Sequence, residues 1–245
     1  MPVASITTGG TMLEAVSAAP AVELTELAPG AGVLLLSPHP DDETLGCGTA
    51  IAALAASGKK LSLVQITGGG GSHPGSKRFN AAAITAIRER ELNDALHILA
   101  PGVDVPVLRL GLPDGRSSVD MIDLAAQQSV LKFAQDHVIG AVWSTWRGDP
   151  HCDHQTAAAA ALRIAATLKV PHWSFPIWGR FGDRSVPHAL RRFVAPKYRA
   201  RKMAAIRCHR SQLGEVIDDD PEGFRLTPEL VAHFSDDPEI FIRER

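Results

Sequence analysis

Residues 33–48 read VLLLSPHPDDETLGCG: a short apolar run, a loop stiffened by two prolines, then three acids opening a second apolar stretch. The run at 33–37 has the length and composition of a buried strand, and 44–57 carries apolar residues at helical spacing. That pairing recurs along the chain. Further strands are predicted at 61–67, 105–110, 140–145 and 171–175, and further helices at 79–99, 119–137 and 153–168. Strand and helix in strict alternation predict an α/β fold, with a mostly parallel Rossmann-like sheet and helices on both faces.

The flanks are less regular. Residues 1–30 are rich in Ala, Thr, Gly and Pro without clear periodicity and read as a surface-draped lead-in, leaving 31–245 as a single domain. Beyond 176 a Pro/Gly/Arg-rich segment runs to 188, followed by a strand at 191–194, a helix at 197–208 and an acidic tail.

With 245 residues, 45% hydrophobic and 21% charged, the composition is that of an ordinary folded domain and argues against disorder or coiled coil. A net charge of −2 and the lack of a basic stripe argue against a nucleic-acid partner. Cys47, Cys152 and Cys208 are too few and too scattered for a disulfide framework, which fits a reducing compartment. No basic-then-apolar leader opens the sequence, and the most apolar stretch, 156–168, is shorter than a membrane span and contains Arg163. These features predict a cytoplasmic protein without a membrane partner. A homo-oligomer is compatible with them.

Ligand sites in open α/β sheets lie at the carboxyl ends of strands, which is where His39, Asp41, Asp42 and Glu43 fall. His39 and Asp42 are three residues apart, a spacing that places both on one side of a helix start. Helix capping would explain one acid, but not a histidine with three acids in a row. A second group, Asp149-Pro150-His151-Cys152-Asp153-His154, follows the fourth strand in the same way. Together the two loops offer His39, Asp42 and His154 to one ion, and two histidines with one carboxylate and an open position make a catalytic zinc arrangement. Iron and cobalt suit the same donors.

PHPDDE with LGCG, joined to a distal HxDH before an Ala-rich helix, resembles the PIG-L (LmbE-like) N-acetylglucosaminyl deacetylase family over residues 33–213. Arg88 and Glu91 resemble its RxxE helix, Asp114 its LGxxDG turn, and 202–212 its KxxAxxxHxSQ element. The resemblance implies that His39, Asp42 and His154 bind the metal, Asp41 is the general base, His151 polarises the substrate carbonyl and Asp153 orients His151. It further implies that Arg88 and Asp114 contact the sugar, with His209 a substrate-side candidate. The implied reaction releases acetate from a small N-acetylglucosamine-bearing molecule such as a glucosaminide or a nucleotide-sugar-like conjugate. Two alternatives stand beside it: a metal-dependent amidase acting on another acyl amine or thiol conjugate, and a noncatalytic metal or sugar binder. Asp41 argues against the binder, which needs no base beside its metal.

The chain departs from the family pattern at 67–72, TGGGGS, where relatives often carry an acid. This stretch lacks the GK[ST] ending of a P-loop, and the 46–48 glycines lack the third glycine of a dinucleotide fingerprint, so a flexible lid is the expectation. Cys152 is expected to be a small buried hydrophobe, Trp143 and Trp173 core residues, and Trp146 and Trp178 candidates for stacking on a sugar.

Overall fold

The structure, a computed structural model, describes residues 9–236 and 238–244. All five strands expected before residue 176 are present: β1 (Gly32–Ser37), β2 (Lys60–Thr67), β3 (Val107–Leu112), β4 (Ala141–Thr145) and β5 (His172–Phe175). They pair in parallel in the order β3-β2-β1-β4-β5, so the strand order reverses between β1 and β4. Loops leaving these two neighbours diverge to opposite faces and open a crevice at their carboxyl ends.

Burial on both faces explains why the strands read as continuous apolar runs. Val33 and Leu35 join the core beneath α3 (Asp42–Ala56) and α4 (Ala81–Leu99), while Leu34 and Leu36 join the core beneath α5 (Leu124–Asp136) and α6 (Cys152–Leu168). The helix expected at 119–137 is divided: a 3-10 turn at Val119–Met121 ends at Ile122, and the Asp123 side chain then caps α5 by accepting from Ala126 N at 2.8 Å. Trp143 and Trp173 are fully buried, as expected.

The lead-in, from residue 9 onward, is built into the core. Met12 and Val16 of α1 (Thr11–Ala18) pack with Leu190, Ile240 and Ile242, and α2 (Leu24–Leu27) ends where Leu27 O accepts from Trp143 Nε1 at 2.8 Å. Residues 1–8 of that segment lie outside the described residues.

The acidic tail is also structured. Helix α7 (Arg199–Ile206) leads through turns to α8 (Pro228–Asp236) and then to β7 (Glu239–Arg243), which inserts antiparallel between β5 and β6 (Leu190–Phe193). EIFIR alternates like a strand, but its charged flanks conceal it in the sequence. Glu239 reaches α3 where Cys47 leaves helical geometry, at φ −141° and ψ 24°. Its carboxylate accepts from the exposed ends of that kink, Thr49 N and Ala50 N, and from Lys202 Nζ at 2.8 Å. Lys202 and Glu239 are both buried, so removing one partner would cost about 3–5 kcal/mol.

Candidate active site

The turn from β1 into α3 is under tension. Asp41 sits at φ 143° and ψ −30°, a region L-residues rarely occupy and which costs about 1–3 kcal/mol. Fully buried Glu43 braces the turn, its Oε2 accepting from Asp41 N and Ser37 Oγ, both at 3.2 Å. Asp41 Oδ2 meets Arg88 Nη2 at 3.0 Å. Burial nevertheless pushes the Asp41 carboxyl up to about 7, with Arg88 opposing and Asp42 reinforcing the rise.

His39, Asp42 and His154 converge from two loops, as the spacing predicts. Asp42 Oδ2 lies 3.0 Å from His39 Nδ1 and 3.3 Å from His154 Nε2, and one donor atom from each of the three residues falls within 4.8 Å of the others. His154 is fully buried, and its Nε2 has no hydrogen-bond partner, an arrangement that suits a cation there. His154 and His39 hold the Asp42 carboxyl down to about 2 against the opposing effect of burial. The residues therefore fit a small divalent ion.

A second donor set, His39 with His151 and Asp153, is geometrically close. Asp153 is already committed, however: Oδ1 accepts from Ser117 N at 2.9 Å and Ser117 Oγ at 2.7 Å, and Oδ2 accepts from Gly115 N at 2.7 Å. Its Oδ2 is also 2.9 Å from His39 Nε2 but 3.8 Å from His151 Nδ1. The Asp153 carboxylate is thus placed to orient His39 rather than His151, because the turn at 115–117 holds it beneath the His39 ring. What orients His151 is the Asp153 backbone N–H, which donates to Nδ1 at 3.3 Å. That bond leaves Nε2 as the protonated nitrogen of a neutral ring. Burial, with His39 and His154 nearby, depresses His151 to about 4 and keeps the ring neutral.

One site residue was given no role by the sequence reading. Asp149 Oδ1 lies 3.3 Å from His154 Nδ1, and its Oδ2 accepts from the backbone N–H groups of Ile177, Trp178 and Gly179 at 2.9, 2.9 and 3.1 Å. A carboxylate behind a ligating imidazole fixes its tautomer and raises its basicity. The available signal was an acid two residues before the first histidine of HxDH, at the end of a strand.

These groups open into a cavity of about 440 Å³, which Asp41, Arg88, Asp114, His151, Trp178 and Phe224 help to line. Arg88 reaches the cavity but is spent on protein: besides Asp41, its guanidinium donates to Pro40 O and Gly69 O, each at 2.9 Å. Asp114 Oδ1 is 3.1 Å from His39 Nε2, and its Oδ2 accepts from Gly71 N at 2.6 Å. Glu91 does not pair with Arg88; its carboxylate holds Ser211 N at 2.7 Å and Ser211 Oγ at 2.6 Å. His209, a substrate-side candidate, lies fully buried behind the cavity with Nε2 3.1 Å from Thr44 Oγ1, while Gln212 of the same element lines the wall.

Three expectations need correction. The glycine run is not a free lid, because its glycines permit close approach: a Cβ on Gly69 would stand 2.3 Å from Arg88 Nη1, and one on Gly70 would stand 2.6 Å from Ala81 O. Cys152 is exposed, since it opens α6 and its Sγ leans over the Gly115 carbonyl at 3.3 Å. Of the two loop tryptophans, Trp178 lines the cavity, whereas Trp146 packs beside the Met12 cluster.

The family model PIG-L, GlcNAc-PI de-N-acetylase, matches residues 34–165, just over half of the chain. The chain is 27% identical over 185 residues to the uncharacterized deacetylase YaiS of Escherichia coli (strain K12), covering 74% of this chain and 91% of that protein. Among solved structures, N,N'-diacetylchitobiose deacetylase from Pyrococcus horikoshii superposes with a TM-score of 0.66 at 21% identity, over 88% of this chain and 84% of that one. GalB, the 4-carboxy-2-hydroxymuconate hydratase from Pseudomonas putida KT2440, gives a TM-score of 0.62 at 18% identity, over 84% and 83%. At such identities these structures establish a shared fold. Since deacetylase and hydratase names both occur on it, chemistry has to be argued from the site.

Proposed function

The chain belongs to the PIG-L family, and on that premise we propose that it is a zinc-dependent N-deacetylase acting on a small N-acetylglucosamine-containing molecule. His39, Asp42 and His154 would hold the ion, which when bound supplies a Lewis acid for the amide carbonyl and a lowered pKa for water. Asp41 takes the proton from the attacking water. Its Oδ2 is occupied by Arg88, which leaves Oδ1 for this exchange. His151 donates Nε2–H to the oxyanion that forms as the carbonyl carbon becomes tetrahedral. Asp41 then returns its proton to the departing nitrogen; the C–N bond breaks, and acetate and free amine leave.

The observation that carries this reading is the placement of Asp41: strained, buried, held by Arg88 through one carboxylate oxygen and set at the cavity wall beside the ion's ligands. A binding protein has no use for such a residue. Three unpaired cysteines fit a cytoplasmic location, and among the described residues no helix is long and apolar enough to cross a membrane. Measuring acetate release from a panel of N-acetylglucosaminides, N-acyl amino acids and thiol conjugates tests the proposal. Release from the glycosides, abolished by a chelator, is expected. Activity confined to the other amides would remove the sugar assignment.

A further inference from the structure

Asp41 keeps its backbone at φ 143°, and strain of that kind persists only where the surrounding structure over-determines it. The helix it opens supplies little of that support. Asp41 makes no side-chain cap bond, and α3 leaves helical geometry at Cys47, so the residues between them form a short segment of their own. The bracing comes from the far end of the chain. Past the kink, Lys202 of α7 holds Glu239, whose carboxylate accepts from Thr49 N and Ala50 N. Ahead of the kink, the turn that follows α7 brings His209 Nε2 to 3.1 Å from Thr44 Oγ1.

Counting protons fixes the direction of this last contact. A threonine hydroxyl has one proton, and Thr44 gives it to Glu43 Oε1 at 2.7 Å. Toward His209 the hydroxyl can only accept, so Nε2 carries the ring proton. Burial, with Arg88 nearby, lowers His209 to about 3 and keeps the ring neutral, and Nδ1, buried without a partner, is the bare nitrogen. At the other end, Glu43 Oε2 accepts from Asp41 N at 3.2 Å. A line of hydrogen bonds therefore runs from His209 through Thr44 and Glu43 to the Asp41 amide. His209, Thr44 and Glu43 are fully buried, so no bulk water competes for any link.

We infer that His209 is a positioning residue for Asp41: acting through Thr44 and Glu43, it holds the strained turn that sets the Asp41 carboxylate at the cavity wall. His209 does not touch substrate, because it lies behind the wall with no exposed surface. The inference rests on the deacetylase reading, in which Asp41 is the base. Links in series make a specific demand: breaking one should cost as much as breaking two, so variants along the line should not be additive.

The test measures acetate release by the zinc-loaded full chain from the methyl glycoside of N-acetylglucosamine, with kcat expressed per bound zinc and urea midpoints recorded for every variant. His209→Leu and Thr44→Val should each lower kcat about 10-fold while KM stays within about 3-fold. Combining them should still cost about 10-fold, where independent effects would give about 100-fold. His209→Gln, which can offer an amide N–H in place of Nε2–H, and Thr44→Ser, which keeps the hydroxyl, should remain within about 3-fold of native. A multiplicative loss in the double variant, a raised KM at constant kcat in His209→Leu, or a His209→Gln as slow as His209→Leu would overturn the inference. So would a lowered urea midpoint with native kcat, which marks packing alone. Should His209→Leu fail to fold, Thr44→Val against Thr44→Ser decides, and equal kcat in those two overturns the line. Any of these results with an active native protein removes the positioning role alone; a native protein that releases no acetate removes the deacetylase reading and this inference with it.

Discussion

Asp149 and His154 face each other at 3.3 Å, carboxylate Oδ1 to imidazole Nδ1, and both are fully buried. The remaining oxygen of Asp149 gathers three backbone N–H groups, so the carboxylate cannot swing away from the imidazole. Asp149→Asn keeps an acceptor for those amides but removes the charge. It is expected to weaken metal affinity about 10–100-fold, read by competition with a chromogenic chelator. Unchanged affinity would mean that Asp149 serves only the 177–179 turn.

Arg88 offers a different kind of test. If it contacted sugar, its loss would raise KM; held as it is by Asp41, Pro40 and Gly69, its loss should disturb the base instead. Arg88→Lys cannot reproduce the guanidinium's fork and should lower kcat by about 10-fold or more while leaving KM within about 3-fold. A rise in KM at constant kcat would restore the sugar contact.

The glycine run makes a stability prediction. Gly69 has φ +66° and no room for a Cβ beside Arg88. Gly69→Ala should cost about 1–3 kcal/mol and lower activity, because the methyl group displaces the guanidinium. Gly58 also has positive φ, at +76°, but faces open space, so Gly58→Ala isolates the backbone contribution alone. Equal losses in urea midpoint for the two variants would show that the loop yields.

His172 supplies a pH dependence independent of the metal site. It is buried in β5 with Nε2 2.8 Å from Ser144 Oγ, and burial lowers it to about 4. The unfolded chain takes up this proton near pH 6.5 and the folded chain only near 4. The contribution of the neutral ring is therefore complete above 6.5 and is lost as pH falls toward 4, amounting to about 3 kcal/mol. His172→Asn should flatten this part of the curve of urea midpoint against pH. An identical slope in native and variant proteins would contradict the assignment.

Much of this was legible in the sequence because the chemistry is carried by contiguous motifs. His39, Asp41 and Asp42 share one turn, His151 and His154 another, and the strand pattern alone places both turns at the carboxyl ends of strands; the structure adds that those strands flank the reversal in strand order. Relationships that depend on tertiary approach were not legible. Asp153 looks like a partner of its neighbour His151, but the 115–117 turn carries its carboxylate to His39. Arg88 lies 47 positions from Asp41, which it holds, and the glycine run lets its helix come so close. The tail was misread for a related reason: β7 is short and charge-flanked, and its place in the sheet depends on β5 and β6 being already in position.

The account stands or falls on Asp41. Acetate release should be measured for native protein and Asp41→Asn, each with its zinc content determined and with a chelator control. The account predicts that chelation silences the native protein and that Asp41→Asn retains about one ion per chain while losing about 10²–10⁴ in kcat. Near-native turnover by metal-replete Asp41→Asn, or undiminished native activity after the metal is stripped, would contradict it.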